Sequence, residues 1–225
     1  MREKYATFDC YGTLIDWRTG IQEALTREYG PLPFAGAALY RAYAEAELEQ
    51  ETTYKKYREV LSGTARELDR RFGLGGSAAA ATRFADSVPT WPAFRDTAES
   101  LRRLGALGYK RYILSNVDKD MLNETIERTG LEIEGSVTAE ETGSYKPKPN
   151  HWLKFWEKTS STAAEELHVA QSVLHDVAPA EALGVKTVWV NRYREALPRD
   201  VHPGYVCESL ADLVDLLGAE GKAPG

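Results

Sequence analysis

Short apolar runs alternate with amphipathic stretches along most of the chain. Runs rich in β-branched and aromatic residues predict buried strands at residues 5–8, 109–114, 167–170 and 185–190, and weaker ones at 133–137 and 205–206. Helical periodicity is found in intervening and following stretches, at residues 94–104, 121–129, 151–158, 176–183 and 209–217. Strands that alternate with helices are typical of a parallel sheet covered on both faces. The pattern therefore predicts an α/β fold, with a Rossmann-like parallel sheet between two layers of helices.

Residues 15–90 depart from this alternation, because they carry helical patterns and no convincing strand. The longest pattern predicts a helix over residues 37–61 that Gly63 interrupts, with a short helix at residues 64–72 after it. Ser77 is a residue type that caps helix N-termini, so we predict a further Ala-rich helix behind it. This part of the chain is therefore predicted to be entirely helical.

The helical block separates two parts of the predicted main domain. Pro89 and Pro92 mark the return of the chain to that domain. We therefore predict an α/β core made of residues 1–14 and 91–225, with residues 15–90 inserted as a helical cap. A chain of 225 residues is long enough for a core with an inserted subdomain.

Polar residues cluster where three of the predicted strands end. Asp9 follows the first strand and precedes a turn at Gly12, while Ser115 and Asn116 follow the second strand. The polar segment 171–176 follows the third strand. Because the carboxyl ends of parallel strands meet at one edge of a sheet, open α/β sheets bind their ligands there. The sequence therefore predicts a functional site at this edge, with the Asp9 carboxylate near its centre.

Composition and charge narrow the class of partner. The chain is 43% hydrophobic and 28% charged, with a formal net charge of −6, as in an acidic globular protein. Such a charge disfavours nucleic acids and anionic membranes as partners, but a local cationic site can still bind a small anionic substrate. Cys10 and Cys207 have no metal-ligand spacing, and no signal peptide or membrane-spanning pattern is present. We therefore expect a cytoplasmic protein.

Four motifs occur in a fixed order along the chain. They are FDCYGTL at residues 8–14, ILSN at 113–116, YKPKP at 145–149, and the segment 169–192 with its His-Asp pair. Together they resemble the motifs of the haloacid dehalogenase superfamily of hydrolases, and in particular those of the 2-haloacid dehalogenases. The resemblance covers nearly the whole chain and places a helical cap where residues 15–90 lie.

The resemblance implies covalent catalysis by a carboxylate. Asp9 would attack the halogen-bearing carbon of a short 2-haloacid and form an ester, and Asp176 would act on the water that hydrolyses this ester. Lys146 would keep Asp9 ionised by lowering the pKa of its carboxyl group. Thr13 would orient Asp9, and Ser115 would help to bind the carboxylate of the substrate.

Substrate contacts are also expected from residues beside these groups. The Asn116 amide would bind the substrate carboxylate, and Cys10 and Tyr11 follow the nucleophile directly. Gln171 would either donate a hydrogen bond near Asp9 or only satisfy the end of its strand. A homodimer formed through the aromatic-rich cap helix is a further expectation.

Two departures from the 2-haloacid dehalogenases concern the halide pocket. Those enzymes receive the leaving halide on an arginine early in the long cap helix, and Ala44 stands at the matching place here. Two alternatives follow: Arg41, nearly one turn earlier, substitutes for that arginine, or the halide site is missing. Those enzymes also tend to have an asparagine where this chain has Val173, which offers no polar group. The machinery for attack is thus more complete than the halide pocket.

Two further departures concern metal binding. Phosphatases of the superfamily hold Mg²⁺ with an aspartate two positions after the nucleophile and an acidic residue after the fourth-motif strand, and Mg²⁺ prefers such oxygen ligands. Here those places are Tyr11 and Gln171. We therefore expect no metal and no cofactor. Two alternatives are a Mg²⁺-dependent phosphatase with Asp9 and Asp176 as its reduced ligand set, and a non-catalytic binding protein.

Overall fold

The computed structural model describes residues 3–220 and contains one six-stranded parallel sheet. The strands are β1 (Lys4–Phe8), β2 (Tyr109–Ser115), β3 (Gly135–Thr138), β4 (Glu166–Ala170), β5 (Lys186–Val190) and β6 (Tyr205–Cys207). Their order across the sheet is β3-β2-β1-β4-β5-β6, and every neighbouring pair is parallel. The first strand therefore lies near the middle of the sheet, between β2 and β4.

Ten α-helices accompany the sheet in the described part of the chain. They are α1 (Trp17–Tyr29), α2 (Ala37–Gln50), α3 (Tyr57–Phe72), α4 (Ala78–Asp86), α5 (Thr97–Ala106), α6 (Lys119–Thr129), α7 (Ala139–Thr142), α8 (Asn150–Thr159), α9 (Ala178–Ala182) and α10 (Leu210–Glu220). None of the helices within residues 3–220 is long and apolar enough to cross a membrane.

Both faces of the sheet are covered by helices, because successive side chains of a strand point to opposite faces. Phe8 is fully buried in a cluster that includes Leu101 of α5 and Leu213 of α10. Tyr5 points the other way, and its ring packs edge-on against Phe155 of α8 with ring centroids 5.5 Å apart. The predicted α/β fold with helices on both faces is confirmed.

Helices α1 to α4 lie between β1 and α5 along the chain, where the cap was predicted. The predicted helix over residues 37–61 is wrong, because α2 ends at Gln50 and α3 begins at Tyr57. Gly63 does not interrupt a helix but lies inside α3, and a Cβ atom there would be 2.4 Å from Oε1 of Gln50. The glycine therefore allows α3 to pack closely against the end of α2. The division into core and cap domains stays a prediction.

The start of α3 is fixed by a residue of the core. The buried carboxylate of Asp118, which follows β2, accepts hydrogen bonds of 3.0 Å from the backbone N–H groups of Tyr57 and Arg58. Because the first N–H groups of a helix have no partner within it, an anionic acceptor stabilises this end. No local sequence pattern shows this cap, since its acceptor lies about 60 residues away along the chain.

A glycine of α1 should be sensitive to the smallest substitution. A Cβ atom on Gly20 would lie 2.2 Å from Cγ of the buried Trp91, so we expect Gly20→Ala to lower the free energy of unfolding by about 1–3 kcal/mol. Gly218→Ala in α10 is the matched control, because nothing lies within 4 Å of its added methyl group. This control should be neutral or stabilising by up to about 1 kcal/mol. Urea unfolding of both variants tests the expectation, which fails if Gly20→Ala is as stable as the parent.

Candidate active site

A buried lysine joins two carboxylates at the carboxyl edge of the sheet. Nζ of Lys146 lies 3.0 Å from Oδ1 of Asp9 and 2.6 Å from Oδ1 of Asp176. It also donates to the backbone carbonyl of Leu114, at 2.8 Å. All three donor positions of the ammonium group are therefore used, and its side chain is only 1% exposed.

The loop after β1 presents the nucleophile candidate. Asp9 directly follows the central strand, and the chain turns through Gly12, whose φ of +110° favours glycine. The hydroxyl of Thr13 donates to Oδ2 of Asp9 at 3.0 Å and accepts from the backbone N–H of Gln171 at 2.9 Å. Both oxygens of Asp9 are thus held, one by Thr13 and the other by Lys146.

The loop that carries Lys146 is fastened to the end of β2. Asn116 accepts from the backbone N–H of Lys146 at 2.7 Å and donates to its carbonyl at 3.2 Å. Ser115 is 1% exposed, and its carbonyl lies 3.0 Å from Nε2 of His151. The structure therefore brings Asp9, Thr13, Ser115, Lys146 and Asp176 together, as the sequence predicted, while their catalytic roles stay predictions.

Burial and charge act in opposite directions on the two carboxyl groups. Although burial opposes ionisation of Asp176, Lys146 and His168 lower its pKa to about 2. Burial raises the pKa of Asp9, and the charge of Asp176 adds to this against the opposing effects of Lys146 and Thr13. Lys146 thus lowers the pKa of Asp9 as predicted, but desolvation outweighs this attraction and the net shift is upward.

A small cavity, which we call the nucleophile cavity, lies over these groups. Its volume is about 90 Å³, and it is lined by Asp9, Tyr11, Glu47, Glu51, Tyr57, Ser115, Asn116, Val117, Lys146, Ser172, His175 and Asp176. Such a volume suits a substrate with only a few non-hydrogen atoms.

A larger cavity, the aromatic chamber, adjoins the first one. Its volume is about 270 Å³, and it is lined by Tyr11, Trp17, Ile21, Tyr43, Ala44, Glu47, Tyr57, Leu61, Val88, Trp91, Val117, Gln171, Ser172, Leu174 and His175. Mostly apolar and aromatic walls of this kind are common in small-molecule sites. The aromatic residues of the cap helices thus line a cavity as well as packing with one another.

Two glutamates of the cap border the nucleophile cavity, and sequence reasoning missed both. Oε1 of Glu47 accepts hydrogen bonds from the hydroxyls of Tyr43, at 2.8 Å, and Tyr57, at 2.6 Å. Burial raises the pKa of Glu47, and burial together with the nearby Glu47 raises the pKa of Glu51 to about 8. Their i, i+4 spacing indicated a shared helix face, but not that the face looks into a cavity.

Two predicted substrate contacts are wrong. Arg41 of α2 is exposed and lines neither cavity, whereas Ala44 borders the aromatic chamber. Cys10 is fully buried in the hydrophobic core and also lines neither cavity. Its backbone carbonyl instead accepts from the N–H groups of Leu14 and Ile15 and so closes the turn after Asp9.

The other predicted contacts border a cavity. Tyr11 lines both cavities, with its hydroxyl 2.7 Å from Oγ1 of Thr125. Asn116 lines the nucleophile cavity, and Gln171 lines the aromatic chamber while its amide donates to Glu195 at 3.1 Å. His175, which sequence reasoning left without a role, lines both cavities, and its buried Nε2 has no partner among the described residues.

The segment that carries Asp176 differs from the predicted helix. Residues 173–177 form a single π-helical turn, and α9 begins only after it. The hydroxyl of Ser172, not the Asp176 carboxylate, accepts the N–H of His175 and caps this turn. Asp176 is therefore free to bond with Lys146 and does not serve as a helix cap.

The donor set at this site does not fit Mg²⁺. An ammonium group lies between Asp9 and Asp176, where a cation would otherwise bridge them. Tyr11 and Gln171 occupy the positions of the further acidic ligands, and no cluster of three metal-ligating side chains is found within residues 3–220. A hard divalent cation prefers several carboxylate oxygens, which Tyr11 and Gln171 do not supply.

Comparisons with known proteins agree with this geometry. A family model described as haloacid dehalogenase-like hydrolase matches residues 3–184. The (S)-2-haloacid dehalogenase 1 of Pseudomonas sp. (strain CBS-3) is 26% identical over 216 residues, which cover 93% of this chain and 94% of that protein.

Solved structures share the fold at low sequence identity. The L-2-haloacid dehalogenase from Xanthobacter autotrophicus with chloropropionic acid covalently bound superposes with a TM-score of 0.83 at 23% identity, covering 99% of this chain and 100% of that one. The HAD-hydrolase YfnB from Bacillus subtilis, bound to magnesium, gives a TM-score of 0.77 at 17% identity, with coverages of 96% and 99%. At these identities the likeness concerns the fold alone.

The raised pKa of Glu51 should make stability depend on pH. The folded state holds this proton up to about pH 8, whereas the unfolded chain releases it near the ordinary value of 4.5. Stability should therefore fall as pH rises from about 5 to 8, because folding then requires uptake of a proton. Glu51→Gln should flatten this dependence and be more stable than the parent at pH 8.5. Unfolding at pH 5 and 8.5 measures it, with Glu59→Gln on the exposed side of α3 as control. Equal slopes for Glu51→Gln and the parent would contradict the assignment.

Proposed function

Since the chain belongs to the family of haloacid dehalogenase-like hydrolases, we propose that it removes halide from a short 2-haloacid by hydrolysis, without a metal, through an ester on Asp9. The main support is the Lys146 ammonium, which lies between Asp9 and Asp176 and supplies the positive charge that these two carboxylates share. Tyr11 and Gln171 support the same proposal, since neither supplies a carboxylate for Mg²⁺.

In the first step, an oxygen of Asp9 attacks the halogen-bearing carbon of the substrate. A carbon–oxygen bond forms, the carbon–halogen bond breaks, and the halide leaves with the bonding pair of electrons. Lys146 and Thr13 each hold one oxygen of the Asp9 carboxylate, so the group is fixed before the substrate arrives. Since both donors are part of the folded core, little reorganisation is needed during attack.

In the second step, water attacks the carbonyl carbon of the Asp9 ester. Asp176 has a pKa of about 2, so it is a carboxylate at neutral pH and can accept a proton from this water. The ester bond between the carbonyl carbon and its alkyl oxygen then breaks, giving a 2-hydroxyacid and the free Asp9 carboxylate. Of the two protons of the water molecule, one is taken up by the departing alkoxide oxygen and the other is released to solvent through Asp176.

Protonation of Glu51 below about pH 8 makes the nucleophile cavity less repulsive to a small carboxylate substrate. Ionised Glu51 would repel such a substrate, but its raised pKa of about 8 keeps the carboxyl protonated at neutral pH. The described lining of both cavities contains no arginine for the leaving halide. We propose that the halide is held by hydrogen-bond donors at these cavities, namely the protonated Glu51 carboxyl group and an N–H at Nε2 of His175, which has no partner among residues 3–220.

We also propose a reducing compartment such as the cytoplasm. Both cysteines, Cys10 and Cys207, are buried and free. A chain that folds without a disulfide between them is typical of proteins of reducing compartments.

Parallel assays of halide and phosphate release test the proposed reaction. We expect halide release from chloroacetate or an enantiomer of 2-chloropropionate, unchanged by EDTA, and little phosphate release from p-nitrophenyl phosphate. Asp9→Asn should abolish turnover, because an amide oxygen is a much weaker nucleophile than a carboxylate. Phosphate turnover that needs Mg²⁺, without halide release, would instead establish the phosphatase. If neither halide nor phosphate were released, the result would favour the non-catalytic binding protein.

The fall of kcat/KM at acidic pH, the acid limb of its pH profile, tests the ionisation state of Asp9. Attack needs the carboxylate, so a raised pKa means that kcat/KM falls on acidification at a pH above the ordinary aspartate value of 3.8. Thr13→Val removes a hydrogen bond that favours the ionised form and should move this limb to higher pH. A limb below pH 3.8, or a downward shift in Thr13→Val, would disprove the assignment of the limb to Asp9.

A further inference from the structure

A continuous chain of buried hydrogen bonds runs from Asp176 away from the nucleophile cavity. Oδ1 of Asp176 lies 3.0 Å from Nε2 of His168, and Nδ1 of His168 lies 2.8 Å from Oγ1 of Thr7. The same hydroxyl lies 2.5 Å from Oε1 of Glu166, and Oε2 of Glu166 accepts from the Trp156 indole at 2.6 Å. We call the first four of these residues the β1–β4 relay, since it crosses between those two strands and ends at Asp176.

Burial of the four polar groups of the relay is unfavourable for folding. Its members Thr7, His168, Glu166 and Asp176 are at most 3% exposed, and burying polar and charged groups is unfavourable unless they are fully paired. The ring of Trp152 packs against the imidazole at a centroid distance of 5.2 Å and keeps water from that side. Hydrophobic residues at these strand positions would give an ordinary core, so the polar chain calls for a functional explanation.

The donors and acceptors around His168 determine which of its ring nitrogens carries a proton. Lys146 can only donate, and Asp176 is ionised, so Oδ1 of Asp176 accepts. A favourable contact with Nε2 of His168 therefore requires a proton on Nε2. On the other side of the imidazole, Thr7 has two possible arrangements. If Glu166 is ionised, the Thr7 hydroxyl donates to it and accepts from Nδ1–H of His168. If Glu166 is protonated, the Thr7 hydroxyl accepts from it and donates to Nδ1. In both cases Nε2–H points at Asp176.

Burial raises the pKa of the Glu166 carboxyl group, which His168, Thr7 and Trp156 oppose. The charged and titratable groups around His168 are then Asp176 and Lys146 at one end, Glu166 at the other, and His151 beside Lys146. A proton on Nε2 of His168 fits this set in both cases, because the Asp176 oxygen that faces it can only accept.

This arrangement selects one oxygen of Asp176 for catalysis. Oδ1 receives hydrogen bonds from both Lys146 and His168, whereas Oδ2 has no donor among residues 3–220 and Asp176 borders the nucleophile cavity. We propose that His168 is a positioning residue for hydrolysis of the ester on Asp9: it fixes the Asp176 carboxylate so that Oδ2 faces the attacking water. This role rests on the proposed function and concerns its second step only.

Two substitutions of His168 separate its two hydrogen bonds. The amide of a glutamine reaches about as far as Nε2 of histidine, so His168→Gln can still donate to Asp176. The shorter asparagine places its amide near the position of Nδ1, so His168→Asn keeps a polar group beside Thr7 but cannot reach Asp176. His202→Asn, at an exposed position, makes the same chemical change outside the relay and is the matched control.

We expect His168→Asn to slow hydrolysis of the ester by about ten- to a hundred-fold, the size of effect that a small misplacement of a reacting group produces. Formation of the ester should be unaffected. Consequently kcat and KM should fall together while kcat/KM stays nearly constant. Rapid quenching and mass spectrometry should then show the ester on Asp9 at steady state, after a burst of one halide per active site. His168→Gln should restore most of the hydrolysis rate.

Other outcomes would overturn the proposal. A loss of kcat/KM without accumulated ester would show that His168 only supports the fold, and parent-like kinetics in His168→Asn would show that the relay has no role in hydrolysis. The His202→Asn control should match the parent in every measurement. A histidine variant that fails to fold would be recognised by its unfolding curve, and the comparison would then rest on the spectroscopic test below.

A test on the free enzyme separates this proposal from the proposed function. The chain has four histidines, so nitrogen NMR of histidine-labelled protein can identify His168 by the signal missing from a His168 variant. We expect a proton on its Nε2 throughout the neutral range. An unprotonated Nε2 would overturn the relay whatever the substrate is, whereas failure to release halide with an intact Nε2–H signal would overturn the reaction alone.

Discussion

One buried ammonium group, shared by two carboxylates, is the interaction on which the site depends. Taking three charges out of water is costly, and it is tolerated only because each has further hydrogen bonds from the fold. Lys146 is held by the end of β2, Asp9 by Thr13, and Asp176 by His168. Removal of any one group would leave another charge buried without its partner. The chemistry and the stability of this edge of the sheet therefore rest on the same contacts.

The fold could be predicted wherever neighbouring residues determine it. Strand positions followed from short runs of β-branched residues, and helix ends such as the one at Gly130 followed from local capping residues. The break between α2 and α3 could not be found in this way. Its cause is the Asp118 carboxylate, which is brought to the start of α3 only by the folded chain, while Gly63, the obvious local breaker, is needed for close packing.

The same distinction between local and distant determinants applies to the site residues. Asp9 and Lys146 could be predicted because each stands in a motif beside a strand end, and parallel strands bring those ends together. Arg41 could not be placed because the sequence does not fix how α2 sits against the cavities, and in the structure its side chain is exposed and borders neither of them. Glu51 and His168 were missed because their importance comes from burial and from partners distant in sequence, neither of which leaves a local pattern.

The clamp that Asp118 places on the start of α3 also limits how the cap can move. Releasing Tyr57 and Arg58 breaks two hydrogen bonds to a charged group, at a cost of about 1.5–3 kcal/mol each. Molecules with the clamp open are therefore rarer than about one in a hundred at equilibrium. Leu174 lines the aromatic chamber and is 61% exposed, so this wall of the chamber lies next to solvent. A substrate that enters beside Leu174 requires no release of the hydrogen bonds to Asp118, so its binding does not depend on movement of α3.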